Sequence, residues 1–182
     1  MQRPSPQAVL LVDGYNVIGL WSYLQRTRDR NGLEAARLEL IEALVNYSAF
    51  KGFETQVVFD AQYQDTRSNC EAITHELSVY YTDFGQTADT YIEKTCASFR
   101  YNPYRSARRL IVATSDRAQQ LTVVGYGAEW MSAPQLGYDV ELTARAVIRK
   151  NRPKKHSSGR FLANSLDAKA RERLAEWRLN QK

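Results

Sequence analysis

Three apolar runs in this chain each end on an aspartate. Asp13 follows Val9–Val12, Asp60 follows the VVF of residues 57–59, and Asp116 closes the stretch LIVATSD. Asn16 stands three residues beyond Asp13 in LLVDGYN, and Asp89 and Glu93 lie four apart in TADTYIEK. Carboxylates and an amide, with no conspicuous histidine or cysteine, suit a hard cation, because Mg²⁺ and Mn²⁺ prefer oxygen ligands. Clustered carboxylates repel one another unless a cation neutralises them. An ion held there activates a water and offsets the charge that builds on a phosphate. Each acid alone also reads as a helix cap or an ion-pair partner. Their shared place after apolar runs is what sets them apart.

The elements that must position these residues follow from periodicity. Val9–Val12, the stretch TQVVFDA, LSVYYTD and RRLIVATSD are short apolar runs of the kind buried on both faces of a parallel sheet. GYGAEWM reads as a short fifth strand. Between them, Leu33–Phe50, Thr87–Tyr101 and residues 117–124 read as helices, with Gly52 placed to end the first. Pro134 opens a long helix reaching about Lys150, and Pro153 stops it. The stretch LWSYLQRTRDRNG reads as looser chain, and polar residues 62–75 as a loop or short helix. Strand–helix alternation gives an α/β sandwich around a mostly parallel sheet. In such a sheet ligands sit beyond the carboxyl ends of the strands, which is the edge that receives Asp13, Asp60 and Asp116. Asp89 falls in the first turn of its helix and can join them from above, with Glu93 one turn behind on the same face.

Charge divides the chain. Residues 1–144 hold 13 Lys and Arg against 17 Asp and Glu, whereas residues 145–182 hold 12 against 3. An acidic body with a basic tail points to a polyanion held by the tail and acted on by the body. The candidate grips are Arg149, Lys150, Arg152, Lys154, Lys155 and Arg160. The expected division is a domain over 1–152 and a basic linker with a final helix, Asn164–Leu179, over 153–182. Tyr101, Tyr104 and Trp21 are candidates for stacking on single-stranded bases. Tyr15 reads as packing beneath its own loop, and Gly14 as letting the chain turn sharply after the strand.

Several classes drop out. No apolar run nears the roughly 20 residues that span a bilayer. No secretory signal is expected, and Cys70 and Cys96, far apart and without a CxxC, fit a reducing, cytoplasmic setting better than zinc or a disulfide. There is no GxxxxGK[ST] and no GxGxxG, which excludes a Walker-type nucleotide site. His75 and His156 lie in polar contexts that do not suggest acid–base catalysis.

Taken in order, LLVDGYNVIG, VVFDA, TADTYIEK and VATSD resemble the NYN branch of the PIN-like nucleases, and within it the YacP-like subgroup. The likeness covers about residues 8–150. It implies a PIN-like three-layer α/β sandwich and Mg²⁺- or Mn²⁺-dependent endoribonuclease activity, with mRNA as substrate and the ribosome as partner. No membrane partner is expected, since no apolar run is long enough to span a bilayer. Matched motif by motif, Asp13, Asp89 and Asp116 are the implied metal and catalytic acids and Asn16 the implied catalytic amide. Asp60 and Glu93 fall on positions that could serve a second ion. The alternative is a non-cleaving RNA- or ribosome-binding module of the same fold. The segment between Asp60 and Thr87 does not align securely with the family pattern.

Overall fold

The computed structural model describes residues 7–60, 69–101 and 108–151. Its centre is β1 (Ala8–Asp13), whose six residues are all buried. Successive side chains on a strand point to opposite faces. Accordingly Ala8, Leu10 and Val12 join one hydrophobic cluster, and Val9 and Leu11 join the other. This double burial is why the run is uninterrupted rather than alternating.

β1 is flanked in parallel by β2 (Phe53–Phe59) and β5 (Arg109–Ala113). β4 (Leu77–Tyr81) pairs parallel outside β2, and β6 (Glu129–Met131) parallel outside β5. A short antiparallel strand, β3 (Asn69–Ala72), completes the order β3-β4-β2-β1-β5-β6. β3 falls inside the polar segment read above as loop or helix. All four of its residues are exposed, so no apolar pattern marked it. Pairing to the outer edge of β4 alone makes it a strand.

Helices cover both faces. Under one lie α1 (Gly14–Leu20), α2 (Ser22–Asn31), α3 (Leu33–Lys51) and α6 (Ala133–Asn151), contributing Val17 and Ile18, Leu24, Leu40 and Leu44, and Leu136 and Val140. Over the other lie α4 (Ala88–Tyr101) and α5 (Arg117–Gly125), contributing Ile92, Cys96 and Phe99, and Val123. The mostly parallel three-layer sandwich is as expected. Gly52 ends α3 in the left-handed conformation, at φ 64°.

The stretch expected to be loose, residues 20–32, is instead mostly the helix α2, separated at Trp21 from α1 before it. The tertiary reason is that Trp21 is buried and its indole Nε1 donates to the Ala133 carbonyl at 2.8 Å. Gly137 of α6 faces the same ring so closely that a Cβ there would press on the indole. Trp21 is therefore core and not a surface for bases, whereas Tyr101 is largely exposed. Tyr104 lies outside the described residues. Cys70 and Cys96 are both free thiols. Among the described residues no helix is long and apolar enough to cross a membrane.

A candidate active site at the carboxyl edge of the sheet

The register aligns the strand ends. Asp13 is opposite Val58, and Val12 is opposite Val57 and Ala113, so Asp13, Asp60 and the Thr114–Asp116 turn leave the sheet side by side. Asp13 caps α1, its Oδ1 accepting from Asn16 N–H at 3.2 Å. Asp116 caps α5 in the same way, accepting from Gln119 N–H at 2.9 Å. Asp60 accepts the Ala88 N–H through Oδ1 and so ties the start of α4 to the end of β2. That tie brings Asp89, the next residue, over the strand ends. Asp89 Oδ1 in turn accepts from Gln119 Nε2 at 2.5 Å. Each of the four acids is thus anchored through one oxygen, and among the described residues none uses its other oxygen in a hydrogen bond.

The charges feel one another. Burial, opposed by the Asn16 N–H, raises the Asp13 carboxyl to about 6, and Asp89, Asp60 and Asp116 push it further the same way. Burial also raises Asp89, with Asp116, Asp60 and Glu93 adding to it and Gln119 opposing. The structure therefore brings Asp13, Asp60, Asp89 and Asp116 together. Glu93 is half-buried one turn behind Asp89 and acts on that acid.

Helix capping and site formation are the same act for Asp13 and Asp116. A capping aspartate needs only one oxygen for the backbone. Its second oxygen remains for another ligand. A hard cation fits such a donor set, since it supplies the charge that the carboxylates lack. Among the described residues no three of these groups converge into a ready-made cage for a bare ion. An ion here would keep part of its water shell, as Mg²⁺ does.

Asn16, Thr114, Ser115 and Gln119 tie the site together, and of these Gln119 lies outside the motifs. Asn16, singled out as an amide, uses its Oδ1 to accept the Ser115 N–H at 2.8 Å, which ties the DGYN turn to the TSD turn. Ser115 Oγ then accepts the Ala133 N–H at 3.0 Å, and Thr114 Oγ1 accepts the Asp116 N–H at 3.1 Å. Gln119 is 2% exposed, bonds Asp116 through its backbone and Asp89 through its side chain, and leaves Oε1 buried without a partner. A buried amide three residues after a capping aspartate was the only cue available for Gln119.

Gly14 does not turn the chain through a left-handed conformation; it is the first residue of α1 with ordinary dihedrals. Its lack of a side chain matters because a Cβ would overlap the Phe59 ring. Tyr15 packs on that same ring, centroids 5.1 Å apart, and is half-buried.

Arg149 is exposed in the last turn of α6, and Lys150 lies in that turn. Arg152, Lys154, Lys155, Arg160 and the expected helix 164–179 lie outside the described residues. A cleft of about 390 Å³ opens at the amino edge, between the end of α4 and the start of β5, away from the acids.

Comparison with known proteins agrees with this picture. The family model of the YacP-like NYN domain matches residues 10–179, so it runs through the basic segment as well as the sandwich. Over 144 residues the chain is 35% identical to the uncharacterized protein YacP of Bacillus subtilis (strain 168), with 79% of this chain and 81% of that one aligned. It is also similar to the crystal structure of Rae1 (YacP) from Bacillus subtilis, at 35% identity and a TM-score of 0.63 over 78% of each chain. A tryptophan-to-leucine mutant of that protein matches at 36% identity and a TM-score of 0.64, over 78% of this chain and 79% of the other. The fold is PIN-like.

Proposed function

Since this chain belongs to the YacP-like NYN domain family, we propose that it is a Mg²⁺- or Mn²⁺-dependent endoribonuclease that cleaves single-stranded RNA, with mRNA as the substrate class and the ribosome as partner. One observation carries the reading: four aspartates stand at the carboxyl edge, each anchored through one oxygen, and the charges of their neighbours act on Asp13 and Asp89.

In this reading Asp13, Asp89 and Asp116 hold the ion directly or through its waters, with Asp60 and Glu93 beside them. An ion held there would supply a water that gives up its proton readily to become the nucleophile, and positive charge against the charge that builds on the phosphate. The protein's own part is placement. Asn16 keeps the Asp13 and Asp116 turns in register through Ser115. Gln119 holds Asp89 and Asp116 in a fixed relation. Asp60 sets the height of α4 over the edge. Groups held this way lose little freedom when an ion and a phosphodiester bind. The products carry a 5′-phosphate and a 3′-hydroxyl. The basic segment from Arg149 to Arg160 adds sequence-independent grip on the backbone.

The test is cleavage of labelled single-stranded RNA and of ribosome-bound mRNA, with Mn²⁺ or with EDTA, by the wild type, Asp13→Asn and Asp89→Asn. Metal-dependent cleavage lost in both variants is the expected result. Cleavage surviving both substitutions would sink the metal mechanism, and wild-type binding without cleavage would favour the non-catalytic RNA-binding module.

A further inference from the structure

The carboxyl edge continues past the acids. Phe59 is in register with Tyr81, so the end of β4 stands beside the end of β2, one strand further from β1. The rings of Tyr15, Phe59 and Tyr81 form a row there, with centroid spacings of 5.1 and 5.8 Å. Arg37 of α3 lies across this row, its guanidinium carbon 6.0 Å from the Phe59 centroid and 5.9 Å from that of Tyr81. It reaches the Tyr15 hydroxyl at 3.5 Å, and its charge acts on the Tyr81 phenol. The Tyr15 phenol also feels the charge of Asp60, which puts this group next to the acid pocket.

The arrangement is poorly explained as a brace alone. The Arg37 side chain is 17% exposed and its Nε is buried with no partner. Among the described residues its ion pair is with Glu34, a carboxylate that is 67% exposed. Exposed pairs return little energy, and a buried unpaired donor is costly. A planar guanidinium held rigid by aromatic faces is, however, ready for bidentate contact with a phosphate. RNA entering an acidic pocket needs such a cation at its flank, because its own phosphates are otherwise repelled.

We propose that Arg37, with the Tyr15 and Tyr81 hydroxyls, forms a phosphate subsite that grips the RNA backbone one strand away from the acid cluster. Glu34 occupies the guanidinium until a phosphate displaces it. The subsite rests on the reading of this protein as an RNA-cleaving enzyme, and its test is a binding measurement that needs no cleavage.

The full chain is titrated against a fluorescein-labelled single-stranded RNA by anisotropy in EDTA, over a range of salt, with melting curves for every variant. Arg37→Met should weaken binding about tenfold. Its salt slope should fall by about 0.7, the value for one single-strand phosphate contact. Arg37→Lys keeps the charge and should retain the slope while losing part of the affinity. Glu34→Gln, at an exposed position, should raise the affinity about threefold by freeing the guanidinium. A folded Arg37→Met with wild-type affinity and slope overturns the subsite. If Arg37→Met does not fold, wild-type affinity in both Arg37→Lys and Glu34→Gln overturns it instead. Wild-type RNA binding with these shifts intact but no metal-dependent cleavage would bring down the nuclease reading and leave the subsite standing.

Discussion

Replacing Asp13 by asparagine should make the metal-free protein more stable at neutral pH. Burial, joined by three neighbouring aspartates, lifts the Asp13 carboxyl from 3.8 to about 6. A carboxyl whose pKa is higher folded than unfolded favours the folded state in its protonated form. That contribution is complete below about pH 4 and is lost as the pH rises through 6. At about 1.36 kcal/mol per unit, a rise of about 2 units is a penalty of about 3 kcal/mol once Asp13 is ionised. Asparagine retains an oxygen to cap the Asn16 N–H and carries no charge. In EDTA at pH 7.5 the variant should therefore gain up to about 3 kcal/mol, which is several degrees in Tm for a domain of this size. At pH 4 the two proteins should have the same stability. Urea titrations at pH 4, 6 and 7.5 measure the difference. A cation at 1,000 times its Kd should reverse the order, since it adds about 4.1 kcal/mol to the protein that binds it. A difference that does not change with pH, or no difference at pH 7.5, refutes the burial of Asp13 among like charges.

Gly14→Ala forces a methyl into the Phe59 ring and should destabilise by about 1–3 kcal/mol by urea titration, with loss of activity because the Asp13 turn shifts. Gln119→Leu removes the Nε2 bond to Asp89 but also the buried, unpartnered Oε1, so stability should change by less than about 1 kcal/mol. The same variant should lose about 10–100-fold in Mn²⁺ affinity, read by electron paramagnetic resonance. Trp21→Phe deletes the buried bond to the Ala133 carbonyl and should cost about 1–3 kcal/mol in thermal denaturation, without altering the metal affinity.

Much of the site could be read from residue order because the acids follow the apolar runs directly. Val9–Val12 has no polar interruption since both faces of β1 are covered, and the first polar residue after such a run must lie at the carboxyl edge. The same logic holds for Asp60 after β2 and, with a two-residue turn between, for Asp116 after β5. Asp89 was legible as a first-turn helix acid. The two helices after β1 were not, because α2 is mostly polar and what stops α1 and starts α2 is the docking of Trp21 against α6, more than 100 residues away. β3 was hidden for a related reason: four exposed residues become a strand only through the open edge of β4.

Residue types and spacing by themselves determined that a mostly parallel sheet would gather carboxylates at one edge, since double burial and strand direction are local consequences of composition. Which oxygen each acid spends on a helix end, and which it keeps, was decided only by tertiary structure. So were the tie from Asn16 to Ser115, the hold of Gln119 on Asp89 and the seat of Arg37 on the Phe59 and Tyr81 rings. Each of these joins residues from different elements, and no sequence period connects them. They exist because packing two helical layers on one sheet brings those side chains within reach of one another.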